Sequence, residues 1–292
     1  MFNRHVKIKV MSTWIALLVA ILATSSAIAA GKPLTLAIHP YLPAAEIYKR
    51  FEPLAARLEK AVDRPVHIKI GANYEEHIDA IGTGKVDLAF MGPAAYVAAS
   101  SRHGQFPLLA RFEVNGQPFL FGVIAVRKGS SLRTLKDLYN KRFAFGDPGS
   151  TMSHIVPRHM LVEAGLIDGL PNHYSFLGSH QNVAVGVLAG DYDAGAMKQE
   201  IFDKFQSRGL QTLALTPGVP DHLFVARKNL PVKDIERLRK SLLTLSFTQD
   251  GRTIMMGLHK KLTALVPAKD EEYEQLRGIY TTIENIRKSE KK

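Results

Sequence analysis

Residues 66–93 read VHIKIGANYEEHIDAIGTGKVDLAFMGP, and the period of the hydrophobic residues changes twice within this run. Val66–Ile70 alternates apolar and polar residues, as a half-buried strand does. Asn73 can cap a helix whose apolar residues recur at helical spacing. Val86–Phe90 is then a short apolar run typical of a buried strand, and Gly92-Pro93 ends it. The stretch therefore predicts a strand, a helix and a second strand.

The same pattern extends toward the N-terminus. Leu34–Ile38 predicts a first strand, and a helix with apolar positions near the 3.6-residue period follows it. Pro53 should kink this helix or start a second helical piece, because proline lacks the N–H that a helix interior uses. Repeated strand-then-helix units predict an α/β fold with mainly parallel sheets.

A second set of strand-helix units lies further along, from about Phe143 to about Leu215. It stands between two predicted long strands, Phe119–Arg127 and His222–Arg227. The simplest interpretation is a chain that leaves one domain, builds another and returns. Such a chain has two lobes joined by two strand crossovers, with the ligand cleft between them.

We place the lobe boundaries at these crossovers. The first lobe comprises residues 30–122 and 222–292, and the second lobe comprises residues 123–221. The residues from about Val232 onward are predicted to be helices packed on the first lobe.

Residues 1–29 have the pattern of a cleavable export signal. Three cations are followed by an apolar run from Trp14 to Ala23 and by the small-x-small site Ala27-Ile28-Ala29. An uncleaved membrane anchor is the alternative, but the run is shorter than the ~20 residues that a span needs. We therefore expect a soluble protein secreted into the periplasm.

Composition limits the chemistry of the chain. It has no cysteine, which excludes disulfides, a lipid-modified cysteine and thiolate metal sites. The formal net charge is +11, and three of the cations lie in the export signal, which leaves +8 and favours anionic partners. The cations are scattered among acids, so we expect no nucleic acid partner. The histidines lack strong metal-ligand spacing, so we expect no metal, and we expect no other cofactor. We also expect a monomer.

The loop at 146–154, GDPGSTMSH, follows a predicted strand and precedes a helical pattern. Backbone N–H groups at a helix start lack intrahelical partners, and the helix dipole favours an anion there. The hydroxyls of Ser150, Thr151 and Ser153 can donate as well, so the loop predicts an oxyanion site. The alternative is that Ser150 or Thr151 merely caps the helix.

Other polar residues follow the same logic at strand ends and helix starts. His180 lies in the segment 178–182 before a predicted helix, Tyr74 begins the helix after the second strand, and Tyr96 follows Gly92-Pro93. In an open α/β sheet the ligand crevice lies at the carboxyl ends of the strands, where all these segments fall. Taken singly, each tyrosine is more often a packing residue and each histidine more often an ordinary loop residue. Asp193 can bind an ammonium group or simply start a strand.

A set of short segments, in this order, resembles the phosphonate/phosphite/phosphate-binding family of periplasmic proteins that serve ABC importers. The resemblance extends over essentially the whole chain after the export signal. The segments are 51–55 (FEPLA), 84–89 (GKVDLA), 92–96 (GPAAY), 146–154, 178–184 (GSHQNVA) and 193–196 (DAGA).

The resemblance implies a two-lobed type II periplasmic-binding fold that closes on a small oxyanion and docks on an ABC permease in the inner membrane. It implies that the serine-threonine loop grips the phosphorus-bound oxygens and that Asp193 matches an acidic position that meets a ligand ammonium group in some members. Tyr41 is a candidate from its position after the first strand alone. The ligand-binding candidates are Ser150, Thr151, Ser153, His154, Tyr74, Tyr96, His180, Asp193 and Tyr41.

The sequence departs from the family at one place. The family loop commonly reads Ser-Thr-Ser-Gly-His, whereas Met152 and Ser153 take the third and fourth places here. One hydroxyl is lost and another gained at the next position. A larger or less charged ligand, including one without phosphorus, is therefore an alternative to a phosphonate.

Two other function classes are alternatives, a ligand sensor and an enzyme. The same two-lobed protein can report a ligand to a membrane kinase or cyclase, and nothing in the chain excludes such a sensor. An enzyme would use Ser153 or Ser150 as nucleophile and His154 or His180 as base. The chain has no nucleophile-elbow motif and no orienting acid, so we predict no catalytic residues.

Overall fold

The computed structural model describes residues 31–166 and 173–289, so the predicted export signal lies outside the described residues. The strands are β1 (Leu34–Ile38), β2 (Val66–Ile70), β3 (Leu88–Met91), β4 (Leu108–Val114), β5 (Phe119–Leu120), β6 (Gly122–Arg127), β7 (Phe143–Phe145), β8 (Tyr174–Phe176), β9 (Ala194–Lys198), β10 (Leu210–Leu215), β11 (Val219–Pro220), β12 (Leu223–Ala226) and β13 (Leu262–Val266). The α-helices are α1 (Ala44–Val62), α2 (Tyr74–Gly82), α3 (Pro93–His103), α4 (Val156–Glu163), α5 (His180–Ala189), α6 (Gln199–Gln206), α7 (Val232–Leu243), α8 (Gln249–Leu258) and α9 (Glu274–Ser289). No helix of the described residues is both long and apolar enough to cross a bilayer.

The first sheet has six strands in the order β13-β4-β12-β3-β1-β2. Parallel pairing is confined to β2-β1-β3, and β12, β4 and β13 pair antiparallel. The prediction of mainly parallel sheets is therefore wrong, because the chain re-enters this sheet as the antiparallel strand β12. The antiparallel pairing also sets the start of β12 beside the carboxyl end of β3, where Leu223 is opposite Met91.

The second sheet has five strands in the order β10-β6-β9-β7-β8. Its strands β8, β7 and β9 are parallel, whereas β6 pairs antiparallel with β9 and β10. The predicted long strand Phe119–Arg127 is two strands: β5 pairs with β11 between the two sheets, and β6 belongs to the second sheet. The exact lobe boundaries, 30–122 with 222–292 and 123–221, stay a prediction.

Both faces of each sheet are covered by helices. In β1, Leu36 and Ile38 pack against α1, α7 and α8, while Ala37 between them belongs to the cluster formed with α2, α3 and α9. In β6, Val123 packs toward α5 and α6, and Ile124 packs on the opposite face, toward α4. Side chains alternate between the faces because a strand has a period of two.

Two local predictions can be compared directly with the helices. Asn73 caps α2, since its side chain accepts a hydrogen bond from the N–H of Glu76 at 2.8 Å, as predicted. Pro53 does not divide α1, which is continuous from Ala44 to Val62. Pro53 lies on the exposed side of α1, and the apolar stripe beneath it continues into the core.

The C-terminal region is not purely helical, contrary to the prediction. The strand β13 forms the edge of the first sheet by pairing with β4. The helix α9 packs on α3 of the first sheet and also on α4 of the second. The C-terminal segment therefore contacts both halves of the molecule.

Candidate ligand site between the two sheets

The loop after β7 starts the helical segment with an unusually wide turn. Residues 151–155 form a π-helical turn that continues into α4, and Ser150 caps it by accepting a hydrogen bond from the N–H of Ser153 at 3.3 Å. The N–H groups of Thr151 and Met152 have no hydrogen-bond partner among the described residues. The loop therefore presents two backbone donors of the kind that hold anions at helix starts.

A narrow cavity lies against this turn, between the carboxyl ends of strands from both sheets. Its volume is about 10 Å³, which is room for about one water-sized molecule. A larger ligand therefore requires the two walls to separate. The lining residues are Tyr41, Tyr74, Gly92, Leu120, Ser150, Thr151, Met152, His180, Lys198 and His222.

Thr151 connects the two walls. Its Oγ1 accepts a hydrogen bond from the N–H of Ala94 at 3.0 Å, at the start of α3 beside the first sheet. Gly92 lies next to this contact, and a Cβ added there would be 3.6 Å from Thr151 Oγ1 and 3.7 Å from His222 Nε2. Gly92 thus keeps open the space between a hydroxyl of one wall and an imidazole of the other.

His180 is held in one tautomer. Its Nδ1 accepts a hydrogen bond from the backbone N–H of Lys198 at 3.1 Å, so in the neutral ring the proton is on Nε2. That Nε2 lies 3.4 Å from Ser150 Oγ. Burial lowers the pKa of His180 to about 3, and the nearby Lys198 and His222 act in the same direction. His180 is therefore a neutral donor on the wall formed by the second sheet.

The wall formed by the first sheet is a cluster of rings around His39. The ring centroid of His39 lies 4.8 Å from Tyr41, 5.1 Å from Tyr74 and 5.3 Å from His222. His39 Nδ1 lies 3.1 Å from the carbonyl oxygen of Phe90, while its Nε2 is buried without a partner among the described residues. Burial, followed by the charges of His222 and His77, lowers the pKa of His39 well below its usual value.

His222 reaches the cavity from the start of β12 and was missed by the sequence analysis. The carboxylate of Asp221, which is 4% exposed, lies 2.8 Å from His222 Nδ1 through Oδ1. The same oxygen accepts the backbone N–H of His222 at 2.6 Å. The sequence offered one signal for His222, a polar Asp-His pair where the chain returns to the first sheet. This pair can be assigned to the cavity only when the antiparallel pairing of β12 is known.

Lys198 was also missed, and it is the one lysine or arginine among the residues that line the cavity. Its Nζ lies 2.9 Å from Glu200 and 5.2 Å from the ring centroid of Tyr41, on the opposite wall. Although burial opposes ionisation of Glu200, its bonds to His259, Lys198 and Lys204 hold the pKa of its carboxyl well below the usual range. The ammonium group of Lys198 is thus paired before any ligand binds.

A wider groove of about 530 Å³ adjoins the cavity. Tyr41, Leu120, Lys198 and His222 line both spaces, so they separate the cavity from the groove. The other residues that line the groove include aromatic rings and exposed lysines, such as Phe119 and Lys261.

Of the nine predicted residues, the structure brings five to the cavity: Tyr41, Tyr74, Ser150, Thr151 and His180. Burial, followed by the charge of Asp147, raises the pKa of Tyr74, so its hydroxyl keeps its proton at neutral pH.

Met152, where the sequence departs from the family, lines the cavity and is also packed in the core beside Ile155. Its sulfur accepts a hydrogen bond from Thr216 at 3.4 Å.

Ser153 and His154 follow the cavity-lining residues in sequence but are not among those that line it. The hydroxyl of Ser153 is fully buried and donates to the carbonyl oxygen of Ala196 at 2.6 Å. His154 Nδ1 lies 2.7 Å from the carbonyl oxygen of Pro148, and its ring packs edge-on to Phe176. Both side chains therefore anchor the loop from behind, because the helical turn rotates them away from Ser150 and Thr151.

Tyr96 and Asp193 are further from the cavity. The hydroxyl of Tyr96 donates to Asp270 and its ring packs on Tyr273, so it joins α3 to the segment before α9. Asp193 precedes β9 and pairs with Arg142 at 3.1 Å. Lys198 is at the other end of the same strand, about 16 Å away at the usual rise of a strand. The structure thus sets Asp193 at the wrong end of β9 for contact with the cavity.

The family described as "ABC transporter, phosphonate, periplasmic substrate-binding protein" matches residues 36–273. The phosphate-import protein of Mycolicibacterium smegmatis is 27% identical, over 94% of this chain and 95% of that protein. A probable phosphite-binding protein of an ABC transporter from Prochlorococcus marinus is 24% identical, over 82% of this chain and 86% of that protein.

A solved structure from Prochlorococcus marinus, in complex with methylphosphonate, superposes with a TM-score of 0.77 at 23% identity, over 87% of this chain and 98% of that one. This likeness shows the fold, which is the two-lobed α/β periplasmic-binding fold predicted from the sequence. The family match covers most of the chain. The protein belongs to the phosphonate-binding family of periplasmic substrate-binding proteins of ABC transporters.

Proposed function

We propose that this protein binds a phosphorus oxyanion, namely phosphate, phosphite or a small phosphonate, in the cavity between the two sheets. The observation that carries the proposal is the convergence of several hydrogen-bond donors on one small space, two of them backbone N–H groups without a partner among the described residues. The donors are the N–H groups of Thr151 and Met152, the Nε2–H of His180, and the hydroxyls of Ser150 and Tyr74. The relatives named for phosphate and phosphite import, and the structure with methylphosphonate, support the same ligand class.

Each wall has a separate part in the proposed binding. The turn at Ser150 and Thr151 holds the oxygens with backbone and hydroxyl donors, which bind oxyanions without a formal cation. Tyr41 and Tyr74 close over the ligand from the wall of the first sheet, and Lys198 lies beside the turn on the wall of the second. Because the cavity of about 10 Å³ is smaller than any of these ligands, ligand entry and release need the walls to open.

The closed, ligand-bound form is the one proposed to dock on an ABC permease in the inner membrane. Ligand binding shifts the population between open and closed forms, and the closed form is the transport signal. We infer that the protein acts in the periplasm as a monomer, after cleavage of residues 1–29, and that it needs no nucleic acid, metal or cofactor. A ligand with a larger organic substituent would extend past Tyr41 into the adjoining groove.

We infer that the site binds its ligand without catalysis. His180 Nε2 lies 3.4 Å from Ser150 Oγ, and it carries the proton because Nδ1 accepts the N–H of Lys198. A general base needs a free lone pair facing the nucleophile. The hydroxyl of Ser153 is buried against Ala196, which leaves it no access to a substrate.

The test is a thermal-shift screen of protein that has been stripped of ligand by unfolding and refolding. The probes are phosphate, phosphite, methylphosphonate, 2-aminoethylphosphonate and sulfate. A ligand that binds only the native state raises the melting temperature, so at least one phosphorus oxyanion should raise it in a saturable way. No shift with any phosphorus oxyanion would contradict the proposal. A phosphate ester included in the same screen should remain unhydrolysed.

A further inference from the structure

We propose that His222 shares one proton with the bound oxyanion, so that the site favours oxyanions that carry a hydrogen over fully deprotonated ones such as sulfate. The inference rests on the proposed function, since it names the chemical form of the ligand that the same cavity prefers. It follows from the two ring nitrogens of His222, because Nδ1 is hydrogen-bonded to the protein and Nε2 faces the cavity.

The two nitrogens of His222 have different surroundings. Nδ1 lies 2.8 Å from the carboxylate of Asp221, which can only accept, so Nδ1 carries a proton and donates it. Nε2 lies beside Gly92 at the cavity, and it makes no hydrogen bond with any residue in the described ranges. In the neutral ring Nε2 therefore presents a lone pair to the ligand.

His180, on the opposite wall, has the reverse arrangement. Its Nδ1 accepts the N–H of Lys198, so its Nε2 carries the proton and presents a donor. One imidazole thus donates to the ligand, while the other accepts from it. An oxyanion with one P–OH group satisfies both, because it accepts from His180 and donates to His222.

Sulfate cannot satisfy both rings as they stand. It carries no hydrogen near neutral pH, so its oxygens would meet the lone pair of His222 Nε2. A buried pair of facing acceptors is unfavourable by about the free energy of a lost hydrogen bond to a charged group. Sulfate binds well only when His222 has first taken a proton from solvent, which turns Nε2 into a donor.

The groups around His222 determine which ring holds that proton. The charged groups near His222 are Asp221, which lies 2.8 Å from its Nδ1, and Lys198, which lines the same cavity. His39 is stacked on His222 at 5.3 Å, and its own pKa is lowered by burial and then by His222, so it does not compete for the proton. His180 is likewise kept neutral by burial and then by Lys198 and His222. Tyr41, Phe90 and Phe112 supply the remaining rings that face His222.

The proton balance differs between ligands. Hydrogen phosphate brings its own hydrogen, which its P–OH donates to Nε2, so binding exchanges no proton with solvent. Sulfate requires one proton to move from solvent to His222. By linkage, binding that takes up one proton should weaken by up to about tenfold for each unit that the pH rises. Methylphosphonate brings the hydrogen as its monoanion and needs one from solvent as its dianion.

The experiment is isothermal titration calorimetry of the purified, ligand-free protein with inorganic phosphate and with sulfate, from pH 6 to pH 8.5. Each pH is measured in two buffers of different ionisation enthalpy, which gives the number of protons taken up. We expect sulfate affinity to fall about tenfold per pH unit at the alkaline end, with uptake of about one proton, and phosphate affinity to change much less.

A variant tests whether His222 is the group involved. The amide of His222→Gln can turn either its oxygen or its nitrogen to the ligand, so it accommodates sulfate without a proton. Sulfate binding should lose its pH dependence, and the preference for phosphate over sulfate should shrink about tenfold or more at pH 8. His67→Gln, on the exposed side of β2, is the matched control and should behave as the parent protein.

Different results would refute the shared proton and the proposed function. If sulfate binds with constant affinity and no proton uptake across this pH range, the shared proton is refuted while phosphate binding stands. If neither phosphate nor methylphosphonate binds at any pH, the proposed function itself is refuted. Should His222→Gln not fold, the pH series on the parent protein decides the question alone.

Discussion

The two walls of the cavity are built from different kinds of sequence. The wall from the second sheet is largely one contiguous turn, in which Ser150, Thr151 and two backbone N–H groups follow the end of β7. The wall from the first sheet consists of side chains from separate segments, with Tyr41, Tyr74 and His222 meeting around His39. We expect the contiguous wall to supply most of the affinity and the assembled wall to supply the selectivity between anions.

The largest expected effect is on the contiguous wall. Ser150→Ala should weaken binding of the preferred phosphorus oxyanion about ten- to hundredfold, because it removes a hydroxyl from the cavity and a hydrogen bond to a charged ligand. It should also lower the free energy of unfolding by about 1 kcal/mol, since Ser150 caps the turn. Calorimetric titration and chemical denaturation measure the two effects.

Thr248→Ala is the matched control for this variant. Thr248 caps α8 in the same manner, by accepting the N–H of Gly251 at 3.1 Å, and it is not among the residues that line the cavity. This variant should lose a similar free energy of unfolding and keep the parent affinity. Equal affinities in Ser150→Ala and the parent would mean that the contiguous wall does not hold the ligand.

A smaller effect is expected where the two walls meet. Gly92→Ala should fit without backbone strain, because φ of Gly92 is −69° and the added methyl would be in ordinary contact with Thr151 and His222. The methyl would nevertheless occupy space between the two walls and weaken ligand binding roughly tenfold, the scale of one lost charged hydrogen bond. Titration calorimetry measures it.

Gly278→Ala, in α9, is the control for an added methyl group. Nothing lies within 4 Å of the position where its Cβ would be, and alanine has the higher helix propensity. Its melting temperature should rise slightly while its affinity stays unchanged. If Gly92→Ala also leaves the affinity unchanged, the ligand does not lie between Thr151 and His222.

The smallest effect is expected for Asp193, which the family resemblance implies as a ligand residue. Asp193→Asn should leave binding of 2-aminoethylphosphonate unchanged, because Asp193 lies at the far end of β9 and pairs with Arg142. Loss of this pair should change the free energy of unfolding little, since the side chain of Arg142 is 53% exposed and solvent screens the pair. A clear loss of affinity for 2-aminoethylphosphonate alone would place its ammonium group near Asp193 and contradict the position of the cavity.

Prediction from sequence succeeded where local structure depends on neighbouring residues. The cap at Asn73 and the oxyanion-type turn at Ser150 and Thr151 are local, because helix starts and their unpaired N–H groups are determined within about one turn. The strands β1 and β2 were also predicted from their own residues, β2 by its alternation of apolar and polar side chains. Within the turn, however, Ser153 and His154 were assigned to the ligand although their side chains anchor the loop.

Prediction was weaker where residues meet through strand pairing. His222 comes beside the end of β3 only because β12 returns antiparallel, and Lys198 reaches the cavity because it ends β9 rather than starting it. The assignment of Asp193 to the ligand stays a prediction, and in the structure the length of β9 separates Asp193 from Lys198. The direction of a strand is not encoded in its own alternation of residues.

By itself, the sequence determined the α/β class, the family and the turn that offers backbone donors to an anion, because these depend on hydrophobic periods and on residues adjacent in the chain. Only the tertiary structure decided which side chains complete the cavity, which nitrogen of His180 and His222 faces it, and which candidates lie elsewhere. These properties depend on the order and direction of strands in two sheets, and on partners such as Asp221 that bury one atom of a ring and leave the other for the ligand.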